Sequence, residues 1–374
     1  MKLNTILLKL NRSVLLICMG LFYALMATAQ PTISSFTPTN GTIGTLVTIT
    51  GTNLTSSTTL SIGGVPAIVV SNTSTTLVGL IMPGATTGII SVTTSGGTTN
   101  SSSNFTITAS LPPSEQIGSK MVGTGTVGNN SQQGNSIAVS ADGNTAVVGG
   151  TFDDGNVGAT WVFIRSGGVW SQQGSKLVGT GSIGEALQGK YVAISEDGNT
   201  AVVGGPGNNN STGAAWIFIR SGGVWSQESQ LIASGITSFT LFGTAISLSA
   251  DGNTAIIGGN GDINYTGAAW VFTRSGGVWT QQSKLVGSGT TNNTNQGKSV
   301  SLSFDGNTAI VGGIGDNSNA GAAWVYTRSG GVWTQQGAKL VGTGAVGQAQ
   351  QGACVFLSDD GNTASLAEML IIRM

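Results

Sequence analysis

Residues 296–342 read QGKSVSLSFDGNTAIVGGIGDNSNAGAAWVYTRSGGVWTQQGAKLVG. Val300 and Leu302 alternate with serines, the two-residue period of a half-buried strand. Asp305-Gly306 follows, a dipeptide suited to a two-residue hairpin turn because both central positions tolerate positive φ. NTAIVGG (307–313) is a second strand. GAAWVYTRS (321–329) is a third, with Trp324, Tyr326 and Arg328 on one face and Ala323, Val325 and Thr327 on the other. Gly330-Gly331 turns the chain into a fourth strand that is polar after Trp333. The middle strands are apolar on both faces, which predicts a blade with neighbours on each side and a wet outer strand.

The unit recurs through the chain. Trp161, Trp216, Trp270 and Trp324 are spaced by 55, 54 and 54 residues, and Trp170, Trp225, Trp279 and Trp333 each follow nine residues later. Asp142, Asp197, Asp251, Asp305 and Asp360 keep the same beat. A fixed period of this length marks a solenoid, propeller or array. Fully burying one Trp removes roughly 200 Å² from water, worth at most ~5 kcal/mol. Two per unit make blade stacking the expected main source of stability, against the alternative of a sugar-stacking platform.

The units resemble the FG-GAP type of propeller repeat over residues 118 to about 364. Phe242-Gly243 stands where the family's name places FG, and the other units have Gln-Gly there. VVGGP (202–206) and GAAWIF or GAAWVF follow in the family's order. The resemblance implies a β-propeller used for interaction, as in integrin-like heads and bacterial surface proteins. GSKMVGTG (118–125) resembles a fourth strand without its first three, which would complete the last blade of a closed ring.

Upstream, residues 31–108 hold short alternating runs rich in Thr, Ser, Val, Ile and Gly, bounded by turn residues: LVTITG, TTLSIGG, AIVVS, GIISVTTSGG and NFTIT. About seven such strands predict a β-sandwich. PTISSFTPTNGTIGTLVTITGTNL (31–54), then SIGGVPA, MPGATTG and SNFTI, resembles the IPT/TIG family. That resemblance implies an immunoglobulin-like domain acting as a spacer or binding module at a cell surface. It is expected over 30–108, with a semi-rigid linker over 109–117 that contains Pro112-Pro113.

Residues 1–29 read as a secretory signal. Lys9 and Arg12 precede an apolar stretch, Val14–Ala27, that is short for a membrane span. Ala27-Thr28-Ala29 supplies small residues for cleavage before Gln30. An uncleaved anchor and a lipoprotein at Cys18 are the alternatives. The 14 basic residues less Lys2, Lys9 and Arg12 leave 11 against 15 acidic, a mature surface without the footprint of a nucleic-acid binder. Export would remove Cys18 and leave Cys354 without a partner in the chain.

Chemistry is sparse. The chain has no His, which excludes Ser-His-Asp and Cys-His catalysis and any His-containing metal site. A carboxylate pair for glycoside cleavage stays possible in principle, but the recurring acids are turn residues, so no enzyme is expected. Integrin-type repeats carry an Asp-rich calcium loop between the first two strands, reduced here to SxDGNT. The longer loops after the second strand hold the calcium candidates Asp262, Asn264, Asp316 and Ser318, and less clearly Asp153 and Asp154; plain Asx-turn chemistry is the alternative. No other cofactor is expected.

The fifth unit begins at Gln351 and breaks at Ser365, where SLAEMLIIRM replaces the expected second strand. Suitable codons read one nucleotide earlier restore a strand followed by Asp-Asn-Ser, so residues 365–374 are expected to be a frameshifted tail. The fold class expected is all-β, a sandwich followed by an incomplete propeller. The function expected is non-enzymatic adhesion or interaction outside the cell, binding a protein or glycan through propeller loops, with no membrane span after signal cleavage. The front portion of a longer secreted enzyme and a structural stalk are the alternatives.

Overall fold

The computed structural model describes residues 29–55, 57–82, 84–108, 118–291, 293–344 and 347–368. They divide into two compact units, one before Gln116 and one from Gln116 onward. The expected leader (apart from Ala29), the expected linker and residues 369–374 lie outside the described residues.

The first unit holds β1 (Thr32–Thr37), β2 (Asn40–Gly41), β3 (Leu46–Thr52), β4 (Ser57–Ile62), β5 (Val65–Asn72), β6 (Thr76–Leu80), β7 (Ile90–Thr94), β8 (Gly97–Asn100) and β9 (Thr106–Ile107). The main sheet runs β1-β3-β6-β5-β4-β7-β8, and β2 pairs with β9 in parallel. Val47 and Ile49 on β3, Leu77 on β6, Leu60 and Ile62 on β4, and Ile90 and Val92 on β7 share one buried core with Phe105. The β3–β6 and β4–β7 parts of the sheet therefore close on each other as the layers of a sandwich. Gly63 and Gly64 make the β4–β5 turn, both at positive φ (59° and 83°), as a tight two-residue hairpin demands.

The second unit is a row of antiparallel blades. Blade 1 is β10 (Gln133–Val139), β11 (Thr145–Gly150), β12 (Ala159–Ser166) and β13 (Val169–Gln172). Blade 2 is β14 (Tyr191–Ile194), β15 (Thr200–Gly205), β16 (Ala214–Ser221) and β17 (Val224–Leu231). Blade 3 is β18 (Ala245–Leu248), β19 (Thr254–Gly259), β20 (Ala268–Ser275) and β21 (Val278–Leu285). Blade 4 is β22 (Gln296–Leu302), β23 (Thr308–Gly313), β24 (Ala322–Ser329) and β25 (Val332–Gln335). Then β26 (Cys354–Leu357) and β27 (Ala364–Ala367) pair as the start of a fifth. Each four-stranded sheet keeps sequential order, the arrangement of an incomplete β-propeller. Ser365, Leu366 and Ala367 of the anomalous tail pair with Phe356, Val355 and Cys354.

Glycine explains how closely the blades approach. A Cβ on Gly149 would stand 1.9 Å from the carbonyl oxygen of Gly189, and the pairs Gly204–Gly243, Gly258–Gly297 and Gly312–Gly352 repeat the contact at 2.4, 2.0 and 2.2 Å. The first Gly of each GG pair thus meets the Gly of the next blade's Gln-Gly or Phe-Gly backbone to backbone. Trp161, Trp216, Trp270 and Trp324 are fully buried. Their indole N–H groups donate to the carbonyls of Thr124, Thr180, Ser234 and Ser288 at 2.8–3.1 Å.

The first hairpin of each blade differs from the two-residue turn expected at Asp-Gly. The Gly306 N–H donates to the Ser303 carbonyl at 2.9 Å, so Phe304 and Asp305 are the central turn residues and only Gly306 has positive φ (68°). The Ser303 hydroxyl donates to Asp305 Oδ1 and accepts from the Thr308 N–H, and the Asn307 N–H donates to the same carboxylate oxygen. These bonds close a four-residue loop around an Asx turn, which the dipeptide alone did not reveal. The turns also join blade to blade: the N–H groups of Ala141, Glu196, Ala250 and Phe304 donate to the carbonyls of Glu196, Ala250, Phe304 and Asp359.

Candidate functional site

Antiparallel strands place the first and third hairpin turns of a blade at one end. The loop after the second strand and the crossing to the next blade lie at the other end. The second end carries the unusual backbone. In blades 1 to 4 the segments Asp153–Asn156, Asn208–Ser211, Asp262–Tyr265 and Asp316–Asn319 each form a single turn whose later residues wind left-handed. In blade 3, Ile263, Asn264 and Tyr265 have φ of 44°, 52° and 64°. Three consecutive residues in this region are rare, because Cβ crowds the following carbonyl.

The first residue of each turn anchors it. Asp153, Asp262 and Asp316 are 0% exposed. Their Oδ1 atoms accept N–H groups from the crossing loops, from Val127 at 2.8 Å, Thr237 at 2.9 Å and Thr291 at 3.0 Å. The other oxygens face lysines: Asp153 pairs with Lys176, and Lys284 and Lys339 stand 2.5 Å from Asp262 and Asp316. Blade 2 replaces both charges, with Asn208 accepting from the Ile183 N–H at 2.7 Å and Gln230 where the lysine stands. A buried carboxylate without its counterion is costly, so the two positions change together.

This arrangement bears on calcium. Asp262 and Asp316 are buried beneath the turns, while Asn264 and Ser318 are exposed on them. Each buried carboxylate already meets an ammonium, and the described residues hold no group of three or more Asp, Glu, Cys or His placed for a metal. The four candidates do not assemble the six to eight oxygens that calcium takes.

The second Trp of each unit lies under an arginine. Arg165, Arg220, Arg274 and Arg328 stand 5.7, 5.4, 5.6 and 5.3 Å from the ring centres of Trp170, Trp225, Trp279 and Trp333. The indoles of Trp225, Trp279 and Trp333 donate to Gln173, Glu228 and Gln282 of the preceding blade at 2.8–2.9 Å. Both sets of Trp are thus engaged in the blades and their joints. The turn aspartates are occupied in the same manner: Ser and Asn bonds hold Asp142, Asp197, Asp251 and Asp360 as they hold Asp305.

At the loop end the left-handed turns and crossing loops form an exposed crest. Asp154, Gly155, Asn209, Asn210, Ile263, Asn264, Tyr265, Asn317 and Ser318 are exposed there. Sequence reasoning reached these loops through their oxygen ligands but missed the backbone handedness and the lysine partners. The replacement of Asp–Lys by Asn208–Gln230 was the available signal.

A cleft of 590 Å³ borders blade 1, lined in part by Lys120, Met121, Val122, Gln133, Ile137 and Val148. It lies against the face of β10 on which no described blade packs. Gly118–Gly125 runs along it without strand pairing, tied by the Gln133 side chain to Gly123.

The IPT/TIG domain family matches residues 31–109, and the FG-GAP repeat family matches residues 225–272 and 279–326. No curated protein matches the chain. Among solved structures, a Bacteroides thetaiotaomicron protein of unknown function is 15% identical over 83% of this chain and 73% of its own, with a TM-score of 0.36. An auxiliary nutrient binding protein from the same species is 14% identical over 84% and 71%, with a TM-score of 0.33. A Lactobacillus plantarum protein is 15% identical over 75% and 70%, with a TM-score of 0.44. Likeness at this level identifies no shared activity. The chain joins an IPT/TIG domain to FG-GAP repeats folded as β-propeller blades.

Proposed function

We propose that this protein is exported and acts without catalysis, binding an extracellular protein or glycan through the loop end of its blades. One observation carries the reading. Every complete blade raises a left-handed turn whose anchor is buried and whose later residues present side chains to solvent. Rigid strands holding exposed, over-determined loops are a common basis for recognition. Export is supported by the signal-like residues 1–29, and no described helix is long and apolar enough to cross a membrane.

The test has two parts. Fractionation and N-terminal sequencing should find the protein outside the cytoplasm, starting at Gln30. The mature chain, screened on a glycan array and against extracellular proteins, should retain a ligand that substitutions on the left-handed turns release. A cytoplasmic protein, or a ligand indifferent to the turns, would contradict the proposal.

A further inference from the structure

Blade 3 departs from its sister blades at three places on the loop end. The second residue of the left-handed turn is Asp154, Asn209 or Asn317 elsewhere, and Ile263 in blade 3. The fourth is Asn156, Ser211 or Asn319 elsewhere, and Tyr265 in blade 3. In the crossing loop that enters each blade, Glu185, Asn293 and Gln348 stand where blade 3 has Phe239. All three bulky residues have positive φ: 44° at Ile263, 64° at Tyr265 and 61° at Phe239. All three are exposed, at 48%, 52% and 61%.

Stability gives no reason for these choices. Asn and Asp enter the left-handed region with little strain, whereas a β-branched or bulky residue there is a genuine outlier. The left-handed turn repeats in every complete blade, and the positive φ of Phe239 recurs at Asn293 (57°) though not at Glu185 or Gln348, so at the turn the side chains did not create the backbone; they were placed on it. Exposed apolar side chains clustered on a rigid surface mark an interaction site.

The three residues belong to one stitched loop cluster. The Ile263 N–H donates to Thr237 Oγ1 at 2.9 Å, and Asp262 accepts the Thr237 N–H. The Phe239 carbonyl oxygen lies 2.0 Å from where a Cβ on Gly261 would stand. The Leu241 N–H donates to Ser211, and the Asn295 N–H donates to the Tyr265 carbonyl. Around them, Asn209, Asn210, Asn264 and Asn293 are exposed carboxamides. Residues 207–212, 235–241, 261–266 and 289–295 contain no Lys or Arg, and their one carboxylate, Asp262, is buried on Lys284.

We infer that Phe239, Ile263 and Tyr265 form a binding platform for a neutral oligosaccharide; this rests on the loop-end reading above. The rings offer flat apolar surface to the C–H face of a sugar. Each Asn side chain offers donor and acceptor together, the match for a hydroxyl. The patch has no exposed charge to pair with an ionic partner and no Arg, a residue favoured at protein hot spots.

The experiment compares the mature wild-type chain with the triple variant Phe239→Asn, Ile263→Asn, Tyr265→Asn on an array of neutral and charged oligosaccharides and against a panel of extracellular proteins, with thermal midpoints measured on both. The wild type should bind neutral oligosaccharides, and the variant should bind them at least tenfold more weakly while its midpoint holds or rises. Equal binding by the variant overturns the platform and leaves the loop-end reading standing. A wild type that takes only charged glycans or a protein overturns the ligand class alone. Binding to no glycan or extracellular protein overturns both. A lower midpoint in the variant overturns the strain argument.

Discussion

Tyr326 occupies the position held by Phe163, Phe218 and Phe272 in the other blades. Its hydroxyl is buried without a hydrogen-bond partner among the described residues, and burial pushes its phenol well above the ordinary tyrosine range. Tyr326→Phe should therefore raise stability by about 1 kcal/mol in urea melts. Trp270→Ala should lower it by about 3–5 kcal/mol, because a fully buried indole and its hydrogen bond are both lost. Asp262→Asn alone should cost about 2 kcal/mol by stranding Lys284. The pair Asp262→Asn with Lys284→Gln, which copies blade 2, should recover most of that loss. Chelation of calcium should leave the thermal midpoint unmoved, since ammonium groups already face these carboxylates. At this scale the sequence showed which Trp and Asp recur but not their partners. Ion pairs such as Asp262–Lys284 bridge 22 residues and are set by the blade's width, not by local pattern.

The strands were legible as elements because period-2 alternation and Gly-rich turns leave few alternatives. The first hairpin was misread because Asp-Gly alone suggests a two-residue turn. Ser on one side and Asn-Thr on the other widen it by capping the carboxylate. That cap predicts a pH dependence. Burial raises the pKa of Asp142, Asp251 and Asp305, but bonds from Ser and Asn outweigh it and leave each below 3.8. Folded-state values below the unfolded ones give stability that is present above pH 3.8 and lost as pH falls through the depressed values. Glu196 and Asp359 have the opposite sign: burial raises both, and the charges of Asp359 and Asp360 respectively add to it. Their strain is relieved first on acidification. Urea midpoints should thus hold or rise slightly on mild acidification and fall below about pH 3.8. The triple variant Asp142→Asn, Asp251→Asn, Asp305→Asn should flatten that fall. The left-handed turns were not legible, since Asp262-Ile-Asn-Tyr gives no local sign of positive φ at Ile263.

Across the blades, repetition itself is the strongest signal, and it fixes which surfaces are joints. Val192 and Val300 are 9% exposed where a preceding blade covers them, whereas Ile137 in blade 1 is 58% exposed. Gly–Gly contacts, the turn ladder and the Arg–Trp joints occupy the inner edges, the first-hairpin turns and the second Trp of each outer strand. The proposed recognition uses the loop end, while the IPT/TIG unit adds a β-sandwich with its own core. The most direct test is binding of the ligand captured by the mature chain to two variants, each altered at one end of the blades. One carries Asn209→Ala, Asn264→Ala and Asn317→Ala on the left-handed turns. The other carries Val169→Ser, Val224→Ser and Val278→Ser beside the opposite hairpins, where these residues are exposed. Binding weakened by the first and untouched by the second is the predicted result; the reverse pattern would contradict recognition through the loop end.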